Sequence, residues 1–172
     1  MYQTGDTILY GGNGVCKVVE ITERKFDGHT VDYYVLQPVY SDHSLIYVPT
    51  QNESLTGKMR QILSEKDVYA LIHDMANEDV AWIEDENERK ETYRTILSRG
   101  NPKDVIRVIQ SLYRHQQEQK QRGKKLRQSD ERFFREAEKL LYDEFALVLH
   151  IQPDQVLPFI TEQIQVKGRK PV

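Results

Sequence analysis

Residues 101–128 read NPKDVIRVIQSLYRHQQEQKQRGKKLRQ, and the division of the whole chain follows from how this stretch is read. It opens as a helix should. Asn101 can cap, Pro102 suits the first helical position, where its missing N–H is no loss, and Asp104 puts negative charge in the first turn. Val105, Val108, Ile109 and Leu112 then recur at helical spacing and form one apolar face. Lys103, Arg107, Arg114, Lys120, Arg122, Lys124, Lys125 and Arg127 collect away from it. From Thr95 to Gln128 nine Lys and Arg stand against two Asp and Glu, a net of +7, in a chain whose total is −3. Positive charge gathered at one place in a mildly acidic protein is the pattern of a docking surface for a polyanion. A solvated helix end would carry the same residues.

The preceding segment has the opposite sign. Residues 61–94 hold ten Asp and Glu and four Lys and Arg, a net of −6. Mutual salt bridging of the acidic and basic segments is therefore the structural alternative to a free basic face. Val68, Leu71, Ile72 and Met75 form a helical stripe behind the cap-like Ser64-Glu65-Lys66-Asp67. Glu88 to Leu97 continues as helix until Arg99-Gly100 stops it. Another helix is expected from Ser129-Asp130-Glu131. Its stripe is long: Phe133, Phe134, Ala137, Leu140, Leu141, Phe145 and Val148. A last one follows Gln152-Pro153-Asp154, with Val156, Leu157, Phe159, Ile160 and Ile164 apolar. The basic tail VKGRKPV is expected to fray.

Residues 1–50 have a different period. Thr7 to Tyr10 is a short apolar run that stops at Gly11-Gly12-Asn13-Gly14, where positive φ is wanted. A phosphate-gripping loop there fits neither the dinucleotide nor the P-loop spacing. Val15 to Ile21, VDYYVLQPV and SLIYVP are rich in β-branched and aromatic residues. A hairpin connection runs from Arg24 to Gly28, with Asp27-Gly28 as the turn signal. Short strands joined by tight turns predict a small barrel or strongly bent sheet. Such a domain exposes a strand edge, either blunted or used to pair with another protein's strand. Pro49 to Arg60 reads as the connector. Two domains are expected, residues 1–60 and 61–172. The fold class is α+β: a small antiparallel β-barrel followed by an all-α helical bundle.

Little here looks like catalysis. His29, His43, His73, His115 and His150 are not spaced as metal ligands, and no Cys-x-x-Cys exists. No nucleophile-elbow, zinc-protease or kinase signature is present. No cofactor, metal or small-molecule substrate is expected. The chain has no apolar run long enough for a membrane span and no signal-like start. The lone Cys16, set among apolar neighbours, is expected in the core, as in a cytoplasmic protein. The only tryptophan, Trp82, has two readings: an anchor between helices, or a contact that wedges into DNA.

Gly5-Asp6 with Tyr10 and Gly14-Val15, then Tyr33-Tyr34-Val35-Leu36, Val48-Pro49 and Arg60, resemble the CarD/CdnL family of bacterial transcription regulators. So do Trp82-Ile83 with Asp85 and Arg89, Ile109 to Tyr113, Gly123-Lys124-Lys125, Ser129-Asp130-Glu131, and Ala137 to Leu141 with Glu144. The resemblance spans roughly residues 2–150. It implies a Tudor-like (SH3-like) N-terminal domain that binds the RNA polymerase β subunit, as in transcription-repair coupling factor. It also implies a helical domain that contacts promoter DNA at the upstream edge of the bubble, modulating open-complex stability without catalysis. The polymerase-binding strand falls at Glu23, Arg24, Lys25 and Phe26, with Tyr47 near a position that is often basic in the family. DNA-binding candidates are Trp82, Arg89, Lys90, Arg122, Lys124 and Lys125. Trp82 lies about one helical turn further upstream of Arg89 and Gly100 than the family's wedging tryptophan. The rival functions are a protein-only adaptor and a hydrolase built on Glu84 to Glu88.

Overall fold

The computed structural model describes residues 1–41, 44–77 and 79–166, with side chains through 164. His43 and the basic tail at 167–172 lie outside them. The chain divides into two compact units, Met1–Ile62 and one beginning at Leu63.

The first unit is a five-stranded antiparallel sheet. Its strands are β1 (Thr7–Tyr10), β2 (Val15–Phe26), β3 (His29–Pro38), β4 (Ile46–Pro49) and β5 (Met59–Gln61). They lie in the order β4-β3-β2-β1-β5. The sheet is not closed into the expected barrel: β4 and β5 are its two edges. At four and three residues they carry few ladder groups with which to close it. A one-turn helix, α1 (Glu53–Thr56), capped by Asn52, links β4 to β5. Neither α1 nor β5 was expected within the polar connector. One face of the sheet packs Ile8, Tyr10, Cys16, Val18, Tyr34, Leu36, Val48 and Met59 together. Cys16 is fully buried there, and burial pushes its thiol up to about 11. A thiol that does not ionise near neutrality is a poor nucleophile.

The second unit is helical: α2 (Glu65–Met75), α3 (Glu86–Arg99), α4 (Pro102–Gln121), α5 (Gln128–Leu149) and α6 (Val156–Val166). The helix starts follow the local chemistry. Ser64 and Asp67 form a reciprocal capping box on α2, Asp85 caps α3, and Asn101 caps α4 ahead of Pro102. Gly100 ends α3 in the left-handed conformation. Gly123 ends α4 the same way, at φ +69, donating to the Lys120 carbonyl while Lys124 N–H reaches the Gln119 carbonyl. That pair of bonds is a Schellman cap. The core joins Val68 and Ile72, Tyr93, Val105 and Leu112, Phe133 and Phe145, and Val156 and Ile160. Leu157, assigned above to the apolar face of the last helix, is instead 52% exposed. Among the described residues no helix is long and apolar enough to cross a membrane.

Candidate functional site

Two surfaces carry the candidate residues, one in each unit. In the first, β2 outruns its neighbour. β1 pairs only with Val15, Cys16 and Lys17, and Val18 adds bonds to Gly5 and Asp6. A bulge between Val18 and Glu20 follows, and from Glu20 to Phe26 the strand pairs with β3 alone. The far half of the β2–β3 hairpin is thus two-stranded, with an open edge on β2.

The turn sets which groups face that edge. Asp27 and Gly28 both have positive φ, 49° and 79°, so the hairpin closes through a two-residue primed turn. The flanking pair, Phe26 and His29, then exchanges both main-chain bonds. By alternation Thr22 and Arg24 also aim their N–H and C=O at β3. Ile21, Glu23 and Lys25 aim theirs at the open edge. The bond from Thr50 N–H to the Asp32 carbonyl fits this phase, since Asp32 lies opposite Glu23 and faces away from β2. Arg24, Lys25 and Phe26, read above as part of the hairpin connection, are strand residues. Asp27-Gly28 alone makes the turn.

Side chains complete this surface. Arg24 donates to the Tyr47 hydroxyl at 3.2 Å, and its guanidinium carbon sits 4.6 Å from the centre of that ring. Tyr33 meets Tyr47 edge to face at 6.4 Å. Glu23 and Lys25 are exposed, and Phe26 at the hairpin end is 73% exposed.

In the helical unit the candidates separate into two groups. Arg89 is 3% exposed and forms a bidentate pair with Asp130, Nε to Oδ1 and Nη2 to Oδ2, both 2.9 Å. Its Nη1 donates to the Ile83 carbonyl at 2.9 Å, and its guanidinium lies 4.5 Å from the centre of the Trp82 ring. Trp82 stacks flat on His115, with centroids 3.7 Å apart and planes 9° from parallel. Arg114 bonds to Asp79 at 2.8 Å, and Tyr93 bonds to Ser111. The segment before α3 is therefore stapled down, with the half-buried Trp82 ring held between His115 and Arg89. Arg89, expected to meet nucleic acid, is turned into the interior, where the Asp130 carboxylate matches its planar fork.

The other group points outward. Lys120, Arg122, Lys124 and Lys125 are exposed around the α4 cap and, among the described residues, make no ion pair. Lys90 pairs with Glu86 at 2.9 Å, and Glu86 also takes Arg127. Acidic residues thus neutralise Lys90, Arg114 and Arg127 and leave the α4 end uncompensated. Within the run Glu84 to Glu88, two carboxylates have structural partners. Asp85 caps α3, and Glu86 is held below the usual carboxylate range, first by its bond with Lys90. Among the described residues, no cluster of His, Cys, Asp or Glu could hold a metal ion.

The sequence contained no local sign of the Tyr33–Tyr47–Arg24 cluster or of His115 under Trp82. The first is a meeting across strands, the second of a loop residue with a helix.

Residues 2–63 match the family model described as the CarD-like/TRCF RID domain. Residues 67–161, more than half of the chain, match the one described as the CarD C-terminal domain. No curated protein sequence matches the chain.

Proposed function

We propose, on the premise that this chain belongs to the CarD-like family, that it is a non-catalytic regulator which grips RNA polymerase with one unit and promoter DNA with the other. The family domains point to a transcription-associated, RNA polymerase-interacting protein. The finer reading is ours. The first unit, Tudor-like in this reading, adds a strand of the polymerase β subunit to the open edge of β2. Ile21, Glu23 and Lys25 supply main-chain bonds, and Arg24, Phe26 and Tyr47 supply the side-chain contacts. Arg24 lies on Tyr47, so a cation reaching across from β2 stands where the family often carries a basic residue.

In the helical unit the DNA contact is the α4 end. Lys120, Arg122, Lys124 and Lys125 reach phosphates, and Lys90 joins them by exchanging Glu86 for a phosphate. Such contacts fix position without reading sequence, so promoter choice belongs to polymerase. Favouring the open promoter requires contact that is stronger in the open state than in the closed one. A difference of ~1.4 kcal/mol shifts that balance tenfold.

The observation that carries this reading is the half-paired strand Glu20 to Phe26 in the unit matching a polymerase-interacting domain. The decisive experiment is capture of purified polymerase β subunit by the full chain, paired with the lifetime of promoter complexes. Binding to polymerase with no change in lifetime would leave the protein-only adaptor, which the Arg114–Asp79 and Arg127–Glu86 pairs favour. Failure to bind the β subunit overturns the proposal.

A further inference from the structure

The open edge of β2 carries an uneven set of charges. From Glu20 to Phe26 the pairing with β3 is unbroken, so side chains alternate between the two faces. Ile21, Glu23 and Lys25 share one face and also aim their main-chain groups at the open edge. On that face Glu23 stands opposite Asp32 of β3, acid against acid, while Lys25 stands opposite Thr30. Like charges directly opposite are destabilising. Glu23 and Lys25 are exposed and, among the described residues, make no ion pair. Arg24, on the other face, is drawn over Tyr47 of β4, away from the edge.

We propose that a second copy of this chain pairs its β2 with this one, antiparallel, about a twofold axis at Arg24. The inference goes beyond the polymerase reading and does not rest on it. Only residues that both aim outward exchange main-chain bonds, so Ile21, Glu23 and Lys25 must meet one another's counterparts. An axis at Arg24 sets Glu23 opposite Lys25 of the second copy, and Lys25 opposite its Glu23. Each of these pairs exchanges both main-chain bonds and joins opposite charges. The lysine gives Glu23 a cation on the side away from Asp32. An axis at Glu23 would instead oppose two carboxylates and leave Lys25 against Ile21. At the chosen axis two arginines meet, and the Arg24–Tyr47 contact relieves their repulsion by holding each guanidinium away.

Strand addition at an exposed edge draws its affinity from main-chain bonds and its choice of partner from side chains. Here the side chains of the edge complement themselves. A contact of this length buries little surface, so the dimer is weak and forms as concentration rises. The twofold axis closes the assembly at two copies. A chain paired in this way offers no free β2 edge. Where the polymerase reading also holds, a polymerase strand and a second copy exclude one another.

The test is sedimentation velocity of the full chain alone, from about 10 μM to about 1 mM. Wild type is expected to pass from monomer to dimer. Glu23→Lys and Lys25→Glu, both at exposed positions, should each weaken the dimer at least about tenfold, since each sets like charges opposite one another twice. An equimolar mixture of the two variants should restore it, because every crossed pair is then opposite in sign. Mild oxidation should link Arg24→Cys to its counterpart and should not link Glu23→Cys. Residues facing each other on the axis lie about 4.5 Å apart between Cα atoms, whereas diagonal neighbours lie beyond bridging range. The fully buried Cys16 does not compete. A monomer throughout, assembly beyond two copies, a dimer indifferent to either reversal, or no recovery on mixing would overturn the proposal. So would a link at Glu23→Cys or none at Arg24→Cys. Polymerase capture is not a readout, so failure here leaves the proposed function standing.

Discussion

Arg89 and Asp130, 41 positions apart, form a two-pronged pair in the interior of the helical unit, both bonds at 2.9 Å and the side chains 3% and 1% exposed. The pair ties α3 to the start of α5. The third arm of the same guanidinium holds the backbone at Ile83, and its face covers Trp82. A cation expected at a nucleic-acid surface is thus bonded inside the helical unit.

Breaking this pair from one side should be severe. Asp130→Asn leaves a buried guanidinium without its counter-charge, and the expected loss is about 3–5 kcal/mol. The double change Arg89→Met with Asp130→Leu should cost less than either single change, because no charge is then stranded. Urea denaturation of the full chain and the three variants measures both. A loss below about 1 kcal/mol for Asp130→Asn would mean that the pair does not hold the unit together.

His115 predicts that the same junction responds to pH. Burial is the main cause that lowers its pKa from the ordinary 6.5; Arg89 acts with burial, while Asp130, Glu118 and Glu84 oppose it. The folded state therefore disfavours the proton that the unfolded chain accepts. Its stabilising contribution is complete above 6.5 and is lost as pH falls through the folded value. Thermal melts between about pH 7.5 and 5 should show wild type losing more stability than His115→Phe, which keeps a ring on Trp82 but does not titrate. Trp82 fluorescence should follow the same transition, since it is the only tryptophan. Equal losses in both proteins would uncouple His115 from stability.

The phase of β2 gives a prediction by parity. Lys25→Pro removes an N–H that faces the open edge, and proline is tolerated there. It should weaken capture of the polymerase β subunit by about tenfold while the unit stays folded. Arg24→Pro removes an N–H directed at Val31 in β3, and should instead loosen the hairpin. Circular dichroism and β-subunit binding separate the two. Unchanged binding by Lys25→Pro would exclude this edge as the docking strand.

Charge reversal at the α4 end addresses the other unit. Lys124→Glu with Lys125→Glu should shorten promoter-complex lifetime and leave polymerase capture intact. The slope of log affinity for DNA against log salt should fall by about 1.8, if each lysine meets one phosphate. Loss of both activities together would show that the two surfaces do not divide the work.

How much of this was readable beforehand depends on how local the cause was. Ser64-Asp67, Asn101-Pro102 and Gly123 each act within a few residues, so α2 and α4 begin where their sequences say and α4 stops at Gly123. Asp27-Gly28 fixed the hairpin phase for the same reason. β5 could not be seen, because Met59-Arg60-Gln61 is too short to show a period and becomes a strand only by pairing with β1. Asp130 read as a helix-start carboxylate, which position three of α5 permits. Nothing near it in the chain indicates that it faces Arg89. Nor does anything near Trp82 in the chain indicate that His115, from the middle of α4, stacks on its ring.

By itself, then, the amino-acid order determined the change of period near residue 60, the caps and stops of the principal helices, and the concentration of positive charge before Gln128. These depend on neighbours a few positions apart, and such interactions survive in any arrangement of the chain. Only the tertiary structure decided which cations are neutralised and which face solvent, and how far β2 runs beyond β1. Ion pairing and strand pairing are settled by partners dozens of residues away, and distance along the chain carries no record of them.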